Sequence, residues 1–566
     1  MKFDDVLKII GDFGKYQKIQ FVLICLVAVV SAFLALNMVF VGGTPYHHCA
    51  IPASVREAYF NTTENATDEG LVAMYIPLDK KGDYEECKMY ATNVSYSFAT
   101  AAPGIILNGT AEGRETQECP EGWYYSHDPF GKTIVSEWDL VCDSRWMRDT
   151  AKSIFFAGRL VGAVVFGQLS DKFGRKPVFM ACLVLQIIAG IAAAFSPNMP
   201  FFYVVYFLQG VMQVGVFLTV YVMGTELVGP SHRKFTAFCV QGAYSIGYMI
   251  LPGLAYFIRS WKWLEIAISL PAIFFLSYYW FVPESVRWLL SNKKMDQAAV
   301  IIKKAAKVNN VSLDEATLTQ LEAPKKEVEK SAVVEKSCLY LVSTLKMAAI
   351  SFNVWFNWVV NALVYYGLAL NTSEIGGNVY INFFLAGAVE IPAYIICVFL
   401  LDRLGRRRLI CGLMVIGGIT CGIVPFIPSS PEKGAVNWAA ITLASIGKLC
   451  ITASYGIIYL FAAEVFPTCV RNVGMGIASM SARIGGILAP FVLLIGEYSA
   501  PVPLILFGVL SIIGGLTSLL LPETLGRPLP ETVEDVHAMV TATFKRKKTT
   551  EEINLPEMAD ENGEKA

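Results

Sequence analysis

The stretch GQLSDKFGRK, from Gly167 to Lys176, decides the fold because a near copy, LLDRLGRRR, follows from Leu400 to Arg408. Two further motifs recur in the same order and at nearly the same separation. A glutamate followed by an arginine occurs at 226 and 233 and again at 464 and 471, and PESVRWLL at 283–290 is echoed by PETLGRPL at 522–529. Each copy lies at the end of a long apolar run. The chain therefore consists of two related halves that run in the same direction, an arrangement typical of membrane transporters.

The composition is that of a membrane protein. Of the 566 residues, 54% are hydrophobic and only 16% are charged, whereas about a quarter are charged in soluble domains. The net charge of −1 gives no information about partners, and no basic stripe interleaved with aromatic residues indicates a nucleic-acid partner. The sequence has no GxxxxGK[ST] phosphate loop, and its five histidines lie outside the apolar runs. We therefore expect neither an ATP-driven pump nor an enzyme with a metal or cofactor site.

Twelve apolar runs are long enough to cross a bilayer, which takes about 20 helical residues. We predict an all-α membrane protein with twelve transmembrane helices, called spans 1 to 12, in two pseudo-symmetric six-helix halves. The predicted spans cover residues 20–42, 149–169, 177–196, 201–224, 236–258, 264–282, 347–369, 378–401, 409–427, 438–461, 473–496 and 502–521. The first run is too long for a signal-peptide core, so we interpret it as a retained helix.

Lysines and arginines in the short loops predict the orientation. They concentrate on the side that carries the repeated motifs, which the positive-inside rule makes cytoplasmic. An even number of spans then places both termini in the cytoplasm of a multi-pass protein, which we expect in the plasma membrane. The predicted domains are a cytoplasmic N-terminus (1–19), an N-terminal half (20–282) with an extracellular loop at 43–148, a cytoplasmic linker (283–346), a C-terminal half (347–521) and a cytoplasmic tail (522–566). The linker segment 295–308 has the periodicity of an amphipathic helix.

The loop at 43–148 has the composition of an extracellular segment. It contains four cysteines (Cys49, Cys87, Cys119 and Cys142) and four N-glycosylation sequons (Asn61, Asn65, Asn93 and Asn108). An even set of cysteines outside the cell predicts two disulfides, for which three connectivities are open. A single sequon occurs by chance, but four in one loop indicate a glycoprotein.

These motifs resemble the major facilitator superfamily, whose loop between spans 2 and 3 matches GQLSDKFGRK. The cysteine-rich first loop, SEWDLVC (136–142), PESVRWLL and AAEVFPTCVRNVG (462–474) are similar to the organic ion transporter family of solute carriers. GYMILPGLAYFI (247–258) and ASMSARIGGILAP (478–490) resemble its organic cation and carnitine branch, including insect organic cation transporters. The resemblance covers about residues 1–535 and implies the major facilitator fold.

The repeated charged motifs are candidates for a cytoplasmic gate. Asp171 lies in a tight glycine-containing loop, where its carboxylate can cap a neighbouring helix. We expect ion pairs in each half, and the resemblance implies that they hold the outward-facing state; the alternative is a solvated surface network. The gating candidates are Asp171, Arg175, Glu226, Arg233, Glu284 and Arg287, repeated as Asp402, Arg406, Glu464, Arg471 and Glu523.

Ionisable and aromatic residues inside the spans are candidates for substrate binding. A charge at a helix centre costs about 2.5–3.5 kcal/mol on insertion scales. We therefore expect a functional or structural role for each of the four charged residues within the spans, which are Arg159, Glu390, Lys448 and Arg483. A buried ion pair, for instance Glu390 with Lys448, is the structural alternative. Aromatic rings attract a quaternary ammonium, although each ring is also explained by helix packing. The substrate-binding candidates are Arg483, Glu390, Lys448, Trp358, Tyr365, Tyr366, Tyr455 and Gln209.

We predict a carrier that moves small organic cations or zwitterions, of the carnitine or quaternary ammonium type, by alternating access. Three bases and one acid within the spans also suit a carboxylate, so an organic anion carrier is the alternative. A channel or receptor is less favoured because neither needs duplicated gate loops. The expected partners are the substrate and the lipid bilayer, and co-transport of sodium or a proton is left open.

Overall fold

Twelve apolar helices form the protein. The computed structural model describes residues 3–62, 66–79, 82–90, 116–229, 231–312, 338–371, 377–428 and 437–545. Within these ranges, eleven helices are long and apolar enough to cross a membrane, and a twelfth apolar helix is shorter. Spans 1 to 12 are Lys15–Val41, Cys142–Phe173, Arg175–Ala194, Met199–Glu226, Phe235–Phe257, Trp261–Phe281, Leu345–Leu370, Val379–Leu404, Arg406–Phe426, Trp438–Val465, Arg471–Leu494 and Val502–Ser518. The predicted twelve-helix architecture is confirmed.

Three spans are interrupted, two of them beside a proline. Span 1 divides into Lys15–Leu36 and Met38–Val41. Span 6 continues from Trp261–Ser269 as a 3₁₀-helix over Leu270–Ser277, because Pro271 cannot donate a backbone hydrogen bond, and ends as Tyr278–Phe281. Span 8 divides into Val379–Ala388 and Glu390–Leu404, just before Pro392.

Span 2 begins earlier than predicted. The prediction started at residue 149, after the charged residues Arg145 and Arg148, whereas the α-helix covers Arg145–Phe173. Asp149 is buried between Arg148 (3.1 Å) and Lys152 (2.7 Å), so its charge is paired with two cations. Charged residues that pair with one another cost less free energy at the end of a membrane helix than isolated charged residues do.

The halves meet along two pairs of spans. Span 2 packs along span 11, and span 5 packs along span 8. Within the N-terminal half, span 2 lies against span 4 at glycines, and a side chain at Gly158 or Gly162 would overlap the carbonyls of Phe207 or Val211. Small residues let membrane helices approach closely.

The segment between spans 1 and 2 is a small disulfide-bonded domain. Cys49 is joined to Cys119 and Cys87 to Cys142, which selects one of the three open connectivities. Its elements are the helices Ala53–Thr62, Asp68–Tyr75 and Ile134–Glu137 and two antiparallel pairs, His47–Cys49 with Trp123–Tyr125 and Met89–Tyr90 with Thr116–Gln117. Of the predicted glycosylation sites, Asn61 is exposed on the first of these helices, and Asn65, Asn93 and Asn108 lie outside the described residues.

This domain is fastened to the N-terminal half. The backbone of Trp261 donates to the carbonyl of Lys132 (2.9 Å), and Lys262 pairs with Glu137 (2.7 Å). The domain also contacts the C-terminal half, where the Tyr380 hydroxyl donates to the Pro129 carbonyl (2.9 Å). We call this end of the bundle the disulfide end, and the opposite end, which carries Asp171 and Asp402, the motif end.

His47 makes the disulfide domain sensitive to acid. Its ring is buried, Nδ1 bonds the Pro45 carbonyl (3.0 Å), and burial lowers its pKa although Glu86, 3.8 Å away, opposes the shift. Above the ordinary histidine pKa of about 6.5 the ring is neutral in both the folded and the unfolded chain. Below it the unfolded chain binds a proton that the folded domain resists, so stability falls with falling pH.

We therefore expect thermal unfolding of the purified protein to occur at lower temperature at pH 5 than at pH 7.5. His47→Gln should reduce that difference. His48→Gln is the matched control, because His48 is half-buried and stacks on Tyr124 (5.2 Å). An equal reduction in both variants would contradict the assignment to His47.

At the motif end, helices outside the spans form a second layer. The linker helix Met295–Val308 is present with the predicted bounds, beside Val286–Ser291, and an unpredicted helix, Phe3–Ile10, packs on them through Val6, Leu7 and Ile302. Asn309 fastens this layer to span 1 by accepting from the Tyr16 backbone (2.8 Å). A further unpredicted helix, Val533–Lys545, lies against span 7 in the C-terminal half.

Candidate functional site

The first copy of the charged motif is built around the start of span 3. Glu284 accepts hydrogen bonds from the backbone N–H groups of Arg175 (3.0 Å) and Lys176 (3.2 Å), where the helix dipole favours an anion. Gly174 has a φ of +108°, a conformation that side chains disfavour. The Arg175 guanidinium then pairs with Glu226 (3.2 Å) and Asp171 (3.0 Å).

The second copy repeats this geometry at the start of span 9. Glu523 accepts from the backbone of Arg406 (3.0 Å), after Gly405 with a φ of +82°. The Arg406 guanidinium binds Glu464 through two nitrogens, at 3.0 and 3.2 Å, and lies 3.6 Å from Asp402. The duplication inferred from the sequence is therefore a duplication of contacts.

Three predicted gating residues are placed differently from expectation. The helix-capping carboxylate is Glu284 rather than Asp171, whose side chain is 75% exposed. Arg471 donates to the Phe466 carbonyl and the Thr468 hydroxyl, not to Glu464. Arg287 donates to the Glu226 backbone carbonyl (3.3 Å). Arg233 begins the span 5 helix, Arg233–Phe257, but its side chain lies outside the described part of the chain.

The halves are closed against each other at the disulfide end. Tyr380 of span 8 stacks on Phe40 of span 1 (5.5 Å between ring centroids), and Phe383 packs on Phe40 (4.9 Å) and on Tyr248 of span 5 (4.4 Å). Ser153 of span 2 donates to the Ile487 carbonyl of span 11 (2.9 Å). At the motif end, the ion pairs given above for Arg175 and Arg406 are each made within one half. The described residues thus show a conformation closed at the disulfide end.

Two of the predicted substrate-binding residues form a buried ion pair. Lys448 of span 10 lies 3.3 Å from Glu390 of span 8, and both side chains are almost wholly buried. The other Glu390 oxygen accepts from Ser245 of span 5 (2.5 Å), so the pair also joins the two halves. This geometry matches the structural alternative weighed for Glu390 and Lys448.

One of the aromatic rings predicted to bind substrate, that of Tyr365, is covered by another side chain of the protein. The Lys448 ammonium lies 3.4 Å from the centroid of the Tyr365 ring, a position that a substrate ammonium was expected to take. Trp358 is completely buried and packs on Tyr459 (4.3 Å). Tyr455 and Tyr459 are half-buried, so their rings are only partly covered by the protein.

Two arginines lie beside these tyrosines. Arg159, in the middle of span 2, donates to the Tyr366 hydroxyl of span 7 (2.9 Å). Arg483, in the middle of span 11, lies near Tyr455, Tyr459 and Arg159 and donates to the backbone carbonyl of Ser479 (2.5 Å). Both arginines are half-buried although they lie mid-span at the interface between the halves. Two cations and several tyrosine rings are therefore grouped at the interface between the halves.

Gln209 lies apart from this group. Its amide donates to Glu265 of span 6 (2.6 Å), which also accepts from Asn37 of span 1 (2.6 Å), and all three are buried within the N-terminal half. We therefore assign Gln209 a structural role. Glu265 was missed in the sequence because it stands next to Lys262 at the predicted start of span 6, where it resembles a loop residue.

Comparison with known proteins agrees with this architecture. Residues 117–535 match the family described as "Sugar (and other) transporter". The chain is 42% identical to the "Organic cation transporter protein" of Drosophila melanogaster, 36% identical to "Solute carrier family 22 member 4" of Mus musculus and 34% identical to "Organic cation/carnitine transporter 2" of Rattus norvegicus, with 94% of both chains covered in each case. The chain belongs to solute carrier family 22. The members of this family are membrane carriers rather than enzymes. The chain is therefore a transport protein.

Solved structures of other transporters have a similar fold. A structure of the proton:xylose symporter XylE bound to 6-bromo-6-deoxy-D-glucose superposes with a TM-score of 0.56 at 16% identity, covering 92% of this chain and 99% of that one. The inward open conformation of XylE from E. coli gives 0.53 at 18% identity, covering 70% and 89%. The chain therefore has the major facilitator fold, as its duplicated motifs predicted.

Proposed function

We propose that this protein carries small organic cations or zwitterions across the plasma membrane by alternating access. The observation that carries the proposal is the half-buried group of Tyr455, Tyr459, Arg159 and Arg483 at the interface between the halves. Rings suit an ammonium group and guanidinium groups suit a carboxylate. The printed names of the relatives, organic cation and organic cation/carnitine transporters, support the same substrate class.

The proposed orientation puts the disulfide end outside the cell and both termini in the cytoplasm. Two disulfides and the exposed Asn61 sequon support an extracellular position for the domain, since disulfides persist in oxidising compartments. With that orientation, closure by Phe40, Tyr248, Tyr380 and Phe383 makes the described conformation closed to the outside. The charged networks would then act as cytoplasmic gates that rearrange during the cycle.

Uptake by cells that lack such carriers tests the function. We expect saturable uptake of at least one of three labelled probes, a quaternary ammonium, carnitine and an aryl carboxylate, together with counterflow from preloaded cells. Currents that do not saturate, without counterflow, would indicate a channel instead. Replacing sodium by lithium, and measuring at two pH values, separates simple facilitation from co-transport of sodium or a proton.

An organic anion carrier is the second candidate. The observation that favours it is that Lys448 pairs with Glu390, whereas Arg159 and Arg483 have no acidic partner among the described residues. Uptake of the aryl carboxylate alone among the three probes would select this candidate.

A further inference from the structure

A carboxyl group is buried within the N-terminal half without a cationic partner. Glu265, on the first helix of span 6, is 1% exposed. Its two oxygens accept from the side-chain amides of Gln209 in span 4 and Asn37 in span 1, both at 2.6 Å. Both amides are neutral, and no cation interacts with Glu265 in the described part of the chain. Burying an unpaired carboxylate costs far more free energy than burying the neutral acid.

The surroundings of Glu265 are neutral on every side. The Tyr206 hydroxyl of span 4 donates to Asn37 (2.9 Å), not to Glu265. The two cations that precede Glu265 in the chain, Arg259 and Lys262, pair with carboxylates of the disulfide domain. The charged residues of the neighbouring spans 1, 3 and 4 lie at the motif end, far from Glu265, and are Lys15, Lys18, Arg175, Lys176 and Glu226. Nothing described nearby therefore offsets a negative charge.

Asn37 connects Glu265 to the closure between the halves. It stands at the break between the two helices of span 1. Three residues later, Phe40 stacks on Tyr380 of the C-terminal half, with 5.5 Å between the ring centroids. A change at the Glu265 carboxyl group therefore acts on the part of span 1 that closes the disulfide end.

Aromatic rings lie between this carboxyl group and the disulfide domain. Trp138 of the domain packs on Trp261 (5.4 Å) and on Phe202 (5.6 Å). Trp261 is one helical turn before Glu265 on span 6, and Phe202 is two turns before Gln209 on span 4. The rings thus cover the polar group on the side of the disulfide end while that end is closed.

A proton on Glu265 accounts for an atom beside it that has no partner. Gln209 Oε1 is buried and receives no hydrogen bond from the residues that the structure describes. A turn of the amide by about 180° exchanges its oxygen and its NH₂ group. After that turn, the O–H of a protonated Glu265 donates to Gln209 Oε1, and Asn37 still donates to the other Glu265 oxygen. Protonation thus removes the buried charge and keeps the two side chains bonded.

We propose that Glu265 is a proton-binding site that links closure of the disulfide end to pH. Its carboxyl group is protonated while that end is closed and ionised when opening admits water to it. Closing around an ionised Glu265 would bury a charge without a counter-ion, so the closed conformation binds the proton more tightly. With the disulfide end outside the cell, acid on that side favours closed molecules. The inference goes beyond the proposed function, which concerns the cargo.

Hydrogen exchange of the closing segments tests the site without any transport. Mass spectrometry follows exchange in Met38–Val41 and Val379–Ala388 at pH 8 and pH 5.5, corrected for the intrinsic effect of pH on exchange. We expect protection of both segments to rise several-fold at pH 5.5, because a ligand shifts an equilibrium towards the conformation that binds it more tightly. No response to pH in the unaltered protein would overturn the proposal. Failure of the proposed function would appear only in uptake.

Glu265→Gln assigns the response to this residue. Glutamine has nearly the shape of the protonated acid, so the variant should be protected equally at both pH values, at the level of the unaltered protein at pH 5.5. Glu265→Met, of similar volume and also uncharged, replaces it if Glu265→Gln does not fold. His47→Gln is the control for the buried histidine of the disulfide domain and should keep the full response. A response that persists in the Glu265 variants, or disappears in His47→Gln, would overturn the assignment.

A change of salt separates a proton from a metal cation. Replacing potassium with sodium at constant pH should leave the protection of both segments unchanged in the unaltered protein. A rise in sodium as large as the rise in acid would show that a metal ion balances Glu265, and would overturn the proton site.

Discussion

Replacing Lys448 with methionine is expected to remove most of the folded protein from the cell surface. Glu390 is completely buried and would keep Ser245 as a donor but lose its cationic partner. Removing one member of a buried ion pair costs about 3–5 kcal/mol. Because the whole stability of a protein is about 5–15 kcal/mol, this loss is severe. Surface biotinylation and the thermal unfolding midpoint of the purified variant measure it.

The double variant Glu390→Gln/Lys448→Met is the control for this prediction. It removes both charges, and glutamine keeps a polar group for the Ser245 hydroxyl. A buried pair replaced as a unit is often nearly neutral for stability, so we expect the double variant to recover most of the surface protein. A double variant as defective as Lys448→Met would show that Lys448 acts through something other than its pairing with Glu390.

Replacing Arg406 with alanine is expected to slow transport and destabilise the C-terminal half. Its guanidinium binds Glu464 through two nitrogens and is almost fully buried. Each hydrogen bond to a charged group contributes about 1.5–3 kcal/mol. Loss of both bonds should lower the maximal uptake rate at least tenfold, equivalent to ~1.4 kcal/mol. Uptake normalised to surface protein measures the change.

Arg175→Ala is the matched variant in the N-terminal half. Arg175 binds Glu226 through one nitrogen at 3.2 Å, and its second acidic partner, Asp171, is largely exposed. An exposed pair contributes little, so we expect a smaller loss of rate than for Arg406→Ala. A larger loss at Arg175 would mean that the N-terminal network controls the cycle more strongly than its contacts suggest.

The fold was predictable because its determinants are local. A bilayer demands long apolar helices, so hydropathy identifies each span, and the motif repeats at Asp171 and Asp402 identify the halves without any knowledge of their contacts. The even set of four cysteines likewise predicted two disulfides. Their connectivity depended on how the chain folds outside the membrane, which spacing alone does not determine.

The candidate site was predictable in composition but not in contacts. Arg483, Lys448 and Glu390 stood out because charges are rare inside spans. Whether such a charge faces a partner or an open space depends on the rotation of each helix in the bundle. The sequence therefore could not show that Lys448 covers the Tyr365 ring, or that Trp358 is packed behind Tyr459.

The contact between Tyr380 and Pro129 gives the disulfide domain a thermodynamic influence on the transport cycle. The domain travels with the N-terminal half, whereas Tyr380 belongs to the C-terminal half, so this hydrogen bond exists only while the disulfide end is closed. A hydrogen bond contributes a net free energy of about 0.5–1.5 kcal/mol. This contribution raises the ratio of closed to open molecules by about two- to twelve-fold. Substitutions in the loop around Pro129 are therefore expected to shift the balance between closed and open molecules without changing any residue of the candidate site.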